Sequence, residues 1–282
     1  MRADCHMHMV LDGVEWKTSI ARHREKPDEK QIRQVLKCYQ EKGFSYLRDG
    51  GDRWGVGKLA RELAPEYGIV YRTPLAPLSK AGHYGGFIGE KYENFREYAQ
   101  LVEKARVDGA DFIKIMISGL MDFNHYGCLT EAGLTRREIR ELVHIAHEEG
   151  FHVMAHANGR DIVEAAAEAG VDSVEHGAYL NRDALAAMKE NNVIWCPTLS
   201  AIGNLRGKGR FDERAVCAIL DSSREMVGEF DAMGGILAPG SDAGAWAVPH
   251  GCLSEYELLG EILADRTEAV LERGIAEMKS RF

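Results

Sequence analysis

The sequence predicts an α/β fold, a single (β/α)8 TIM-like barrel over residues 1–282. Three observations carry that expectation. Eight short apolar runs alternate with amphipathic helical stretches along the chain, the pattern of a parallel sheet with right-handed crossovers. The length of 282 residues is close to the roughly 250 typical of one such barrel. The G-x-G-x-x-G fingerprint of open dinucleotide-binding sheets is missing.

The candidate strands are 3–10, 45–49, 69–74, 111–117, 151–156, 173–176, 193–196 and 235–239. Each is short, and several are rich in Ile, Val, Phe or Tyr, as buried parallel strands tend to be. Between them lie helices with recognisable ends. Ile32, Val35, Leu36 and Tyr39 form one apolar stripe that stops at Gly43. Thr135 and Glu138 have the spacing of a capping box, followed by the stripe Ile139, Leu142, Val143 and Ala146 and a stop at Gly150. Val216, Ile219, Leu220, Met226, Val227 and Phe230 mark a longer helix. The stretches 118–134 and 203–210 read as loops that follow strands, so in a barrel both belong to the active-site face.

Composition narrows the class. With 45% hydrophobic and 28% charged residues the chain can bury a large core. The net charge of −9, without a Lys/Arg-rich run, excludes nucleic acid as an expected partner and fits a small-molecule substrate. No stretch approaches the roughly 20 apolar residues of a membrane span, and charged residues near the start leave no signal-peptide pattern. Six scattered cysteines without a C-x-x-C pair suit reduced thiols in a cytoplasmic protein. Oligomeric state stays open, a homo-oligomer included.

The chemistry lies at the strand ends. His6 and His8, two apart on the first strand, point to one side and aim two imidazoles at one point, a start for a transition-metal site. His156 ends the fifth candidate strand, His176 ends the sixth, and Asp242 follows the eighth. Barrel enzymes place their chemistry at the C-terminal ends of several strands, whereas structural histidines have no reason to gather there. Lys114, flanked by Phe112, Ile113, Ile115 and Met116 in the fourth strand, is expected to be buried. Burial lowers a lysine pKa, and a neutral amine can take up CO2 as a carbamate that bridges two divalent ions. The alternative is a Lys114 paired with an acid such as Asp49.

The remaining histidines read more plainly. His144 and His147 are surface or packing residues of the helix after Lys114, His152 is a core-packing residue, and His23 is solvated in a charged loop. His250 lies on the active-site side, where it is a candidate for substrate binding.

At this point the sequence resembles the amidohydrolase superfamily, and within it the imidazolonepropionase-related branch with Xaa-Pro dipeptidases and N-acyl-amino-acid hydrolases. The matching stretches are Asp4-Cys-His6-Met-His8, Gly43-Phe-Ser-Tyr-Leu-Arg-Asp-Gly-Gly51, Phe112-Ile-Lys114-Ile-Met and His156-Ala-Asn-Gly159, followed by Val174-Glu-His176-Gly, Cys196-Pro-Thr-Leu199 and Gly240-Ser-Asp242-Ala-Gly244. The resemblance implies that His6, His8 and Asp242 hold one metal, that His156 and His176 hold a second, and that carboxylated Lys114 bridges both. Zinc is the usual family metal, although this ligand set also accepts manganese, iron or cobalt. His83 resembles a family histidine that contacts the substrate carboxylate, and Tyr126 a tyrosine that faces the substrate. Relatives usually carry a small β-sandwich flanking the barrel. Only 40 residues follow Asp242 here, and the first strand starts near Met1, so a short form without that sandwich is expected.

The implied activity is hydrolysis of an amide C–N bond in a small substrate such as a dipeptide, an N-acyl amino acid or a cyclic amide. A metal-bridging water would supply the hydroxide, with Asp242 as the catalytic proton carrier. A lactonase or phosphotriesterase shares the same ligand pattern. A mononuclear deaminase would need a Glu near the fifth strand, which the stretch 156–160 does not supply. A metal-binding protein without catalysis is the remaining alternative.

Overall fold

Eight of the ten strands form where the apolar runs fall, and all of the strand pairings are parallel. The computed structural model describes residues 2–282. The first part of the chain runs β1 (Arg2–Met7), α1 (Trp16–His23), α2 (Glu29–Glu41), β2 (Phe44–Asp49), α3 (Val56–Leu63) and β3 (Val70–Arg72). The middle runs β4 (Leu78–Lys80), β5 (Glu90–Tyr92), α4 (Phe95–Asp108), β6 (Ile113–Met116), α5 (Arg136–Glu148), β7 (Val153–Ala157), α6 (Arg160–Ala169) and β8 (Ser173–His176). The last part runs α7 (Arg182–Glu190), β9 (Ile194–Cys196), α8 (Ser200–Gly203), α9 (Glu213–Ala232), β10 (Ile236–Leu237), α10 (Ser254–Leu263) and α11 (Thr267–Arg281).

Two sheets, ordered β1-β2-β3 and β10-β9-β8-β7-β6-β4-β5, meet at two backbone seams. The Asp111 N–H donates to the Thr73 carbonyl at 3.0 Å, joining β3 to β6. On the other side Cys5 N–H donates to Pro239 O at 2.8 Å and Asp242 N–H to His6 O at 2.7 Å, joining β1 to the chain after β10. The result is a ring of eight strands, with β4 and β5 as an extension on the connection from β3 to β6. Those two were not expected. Each has three residues and carries Lys or Glu, which gives no apolar run to read.

Helices pack outside the ring with the stripes the sequence predicts. In α5 the Thr135–Glu138 capping box forms and Ile139, Leu142, Val143 and Ala146 are buried. In α2 the Asp28 side chain caps the N-terminus and Ile32, Val35, Leu36 and Tyr39 face inward. Inside the ring, Ala3, Cys5, Tyr46, Phe112, Met154, Ile194 and Ala238 form a separate core closed from below by Ile275, Met278 and Phe282. Among the described residues no helix is long and apolar enough to cross a membrane, and all six thiols are free.

Two histidines differ from expectation. His23 is buried, 1% exposed, at the end of α1 and accepts the Asp28 N–H at 3.0 Å; the helix that carries it was not legible. His152 precedes β7 below the core, is exposed, and pairs with Asp172 at 2.6 Å.

Candidate active site

Above the apolar floor the barrel interior turns polar. Arg48, fully buried on β2, donates from Nε to Cys5 O at 2.7 Å, and its terminal nitrogens reach Ser173 Oγ at 2.8 Å and Glu175 Oε1 at 2.7 Å. The other Glu175 oxygen lies 2.6 Å from His6 Nδ1. A buried ion pair with every arm occupied thus spans the barrel from β2 to β8 and ends on a histidine ring.

Backbone irregularities bring the next layer together. In β1, Asp4 pairs with Leu47 but Met7 with Asp49, so one extra residue is inserted, a β-bulge. The bulge turns both Cys5 and His6 into the barrel, and His8 follows two residues on. In β8, Glu175 and His176 are adjacent yet both reach the interior, because His176 adopts a left-handed backbone with φ 68°. Asp242 does the same with φ 57°. Side chains rarely accept that region without surrounding constraint, and it concentrates at functional sites. Gly50 leaves room for the ring beside it, since a Cβ there would lie 2.2 Å from His8 Cε1.

The outcome is a polar cluster at the C-terminal ends of the strands. Ligand-type atoms of His6, His8 and Asp242 lie within 4.8 Å of one another: His6 Nε2 and His8 Nε2 are 3.4 Å apart, and Asp242 Oδ1 is 3.5 Å and 3.3 Å from them. The His176 ring centre is 4.9 Å from that of His6 and 4.6 Å from that of His156. Three of the imidazoles have one nitrogen already engaged. His6 Nδ1 meets Glu175, His176 Nδ1 meets Thr198 Oγ1 at 2.8 Å, and His156 Nε2 meets Gly119 O at 3.2 Å. The opposite nitrogen of each ring remains available, the arrangement by which outer hydrogen bonds orient metal-binding histidines. Burial holds His6 and His176 well below the ordinary histidine range and His156 down at about 3, so the rings are neutral and keep their lone pairs.

Lys114 completes the layer. It is 1% exposed and its Nζ has no hydrogen-bond partner. Asp49 instead accepts from Met9 N–H and Thr73 Oγ1, both at 3.2 Å, so the alternative pairing does not form. Burial brings the Lys114 pKa down to about 8, with Glu175 and Asp242 pulling the other way. Neutral imidazoles, a carboxylate and an orphaned buried amine fit divalent metal better than they fit one another.

The cluster forms the base of a cavity of about 750 Å³ open at the C-terminal face. His6, His8, Lys114, His156, His176 and Asp242 all line it. So do parts of the two predicted loops, including Met121, Phe123, Leu205 and Arg210. Three other predicted residues are not brought to its wall. The His83 ring pairs with Glu131 at 3.3 Å, and the neighbouring Tyr84 lines the cavity against the His156 ring. Tyr126 is 52% exposed and packs on Tyr179. His250 lies behind β1, with Nε2 2.8 Å from Leu11 O.

The family model described as "Amidohydrolase family" matches residues 58–243, well over half of the chain. The chain belongs to the amidohydrolase family. Among relatives, ochratoxinase of Aspergillus niger is 27% identical over 235 residues, covering 71% of this chain and 47% of that protein. An uncharacterized protein of Mycobacterium tuberculosis is 33% identical over 69 residues, covering 24% of this chain and 19% of that one. The chain therefore spans less than half the length of these curated relatives. Two solved structures share the fold: a Xaa-Pro dipeptidase with bound methionine in the active site, with a TM-score of 0.79 at 21% identity over 98% of this chain and 74% of that one, and the Aspergillus niger ochratoxinase, with 0.77 at 20% identity over 98% and 70%.

Sequence reasoning missed Arg48, Glu175, Thr198 and Tyr84. Arg48 and Glu175 stood inside the quoted motifs, where two charged residues in apolar strands were the available signal.

Proposed function

We propose that this amidohydrolase family member is a metal-dependent hydrolase that cleaves an amide C–N bond of a small substrate, using a binuclear centre held by His6, His8, Lys114, His156, His176 and Asp242. The observation that carries the reading is the convergence of these six side chains at the base of one cavity, with Lys114 Nζ unpartnered among them. His6, His8 and Asp242 would hold one cation and His156 and His176 the other, with Lys114 bridging them as a carbamate formed from its neutral amine and CO2. Zinc matches the nitrogen-rich donor set. When bound, the two cations supply an acidified water and a polarised carbonyl.

The chain's own residues do the rest. Asp242, at the cluster with one carboxylate edge toward His6 and His8, takes the proton of the attacking water and returns it to the leaving nitrogen. Glu175 and Thr198 keep His6 and His176 in fixed tautomers and orientations. The names of the relatives, a dipeptidase and an ochratoxinase, support an amide as the substrate, and free thiols with an acidic, patch-free composition support a cytoplasmic location.

The test is a hydrolysis panel of dipeptides, N-acyl amino acids, cyclic amides and lactones on metal-replete protein. Amide turnover that falls by 10³-fold or about that in Asp242→Asn, with metal largely retained, is the expected result. Lactone turnover without amide turnover would replace the amidase reading with an esterase one, and undiminished turnover in Asp242→Asn would remove its proton-carrying role.

A further inference from the structure

We propose that Arg210 anchors a carboxylate of the substrate, and that the substrate is an anionic amide whose bulky apolar part lies along the aromatic lining of the cavity. The proposal rests on the reading of this cavity as the substrate site of an amide hydrolase. It begins with the lining. Phe123 packs on Phe211 at 5.2 Å and Phe211 on Trp246 at 6.0 Å, a ladder that joins the loops after β6, β9 and β10. Trp16 packs on Phe87 at 5.2 Å and Phe87 on Tyr84 at 5.8 Å, a second ladder from the loops after β1 and β4. All six rings line the one cavity. Trp16 remains 44% exposed there, an apolar rim with nothing folded over it. Aromatic rings of this number favour a large apolar group over a small polar one.

Arg210 is set into the first ladder. Its guanidinium stacks 4.5 Å from the Trp246 ring centre and 5.4 Å from that of Phe211. Stacking of this kind fixes the plane of the fork and leaves its N–H edge for a planar anion. The position is pinned rather than loose: Phe211 is held by Phe123, and Asp212 N–H donates to Asn124 Oδ1 at 3.1 Å. Among the described residues Arg210 makes no ion pair, while the acids that share its cavity are engaged elsewhere. Glu15 accepts from Thr18 N–H at 2.7 Å, and Asp122 accepts from Asn124 N–H and meets His125, both at 2.8 Å. A solvent-exposed cation held against the aromatic lining of the cavity, without a partner from its own chain, offers its N–H edge to a carboxylate from outside.

Calorimetric titration of the full chain tests this with two probes that cannot be hydrolysed, 3-phenylpropanoate and the uncharged 3-phenylpropanol. Wild type is expected to bind the carboxylate about tenfold more tightly. Arg210→Met, which keeps the stem on Trp246, loses most of that preference and binds the alcohol as before, and Arg210→Lys keeps part of it. A preference undiminished in Arg210→Met places the carboxylate elsewhere and overturns the proposal, as does a wild type that binds both probes alike or neither. The amidase reading fails separately: metal-replete wild type that hydrolyses no amide, yet shows the Arg210-dependent preference, keeps the anchor and loses the activity.

Discussion

His6 Nδ1 lies 2.6 Å from Glu175, whose other oxygen is held by Arg48, so Nε2 is the nitrogen that faces the cavity. Glu175→Gln removes the charge that fixes this tautomer and leaves Arg48 buried without a counter-charge. Metal affinity is expected to fall roughly 10- to 100-fold and stability by about 3 kcal/mol. Adding Arg48→Met restores most of the stability and none of the affinity; thermal unfolding and metal titration on both variants check this. If the single variant binds metal as wild type does, Glu175 does not orient His6. The six candidate ligands were legible because residue type and strand-end position coincide in the sequence. Glu175 was not, because its role comes from Arg48, 127 positions away. His83 and Tyr126 are loop residues, and their side-chain directions depend on contacts with Glu131 and Tyr179 that no local pattern announces.

At the scale of elements, the regular parts of the fold follow from apolar periodicity and the functional parts from its interruptions. All eight barrel strands and the cap of α5 were legible because period and capping chemistry are local. The β1 bulge and the left-handed turns at His176 and Asp242 were not, since they are imposed by the surrounding barrel. The turn at Asp242 is supported by α10 through Ser200, whose hydroxyl donates to Ser241 O at 2.7 Å while Glu255, in the first turn of α10, accepts the Ser200 N–H at 2.7 Å. Glu255 is buried with Oε1 unpartnered, and burial raises its pKa to about 8 despite the Ser200 hydrogen bonds. The folded state then holds a proton that the unfolded state releases above the usual glutamate range of about 4.3. This contribution is full at low pH and declines as pH rises toward 8. Glu255→Gln is expected to flatten the fall in stability between pH 5 and about 8, measured by denaturant unfolding. An unchanged slope would mean that Glu255 is ionised in the fold.

At the scale of the whole molecule, the barrel divides its interior by depth. An apolar floor closed by α11 lies below a buried Arg48–Glu175 pair, the cluster of candidate ligands lies above that pair, and an aromatic cavity opens at the top. This order gathers the neutral imidazoles of His6, His156 and His176 and the unpartnered Lys114 into one layer drawn from β1, β6, β7 and β8. Length and strand count made the barrel legible, whereas the cavity wall was not, because it is assembled from five loops distant in sequence.

The most direct test of the binuclear centre is the metal content per chain by elemental analysis, on wild type and Lys114→Ala purified without chelator and with bicarbonate present. The expected result is about two divalent ions per wild-type chain, falling to one or fewer in the variant. One ion that is indifferent to Lys114, or none even after zinc or manganese is added, would contradict it.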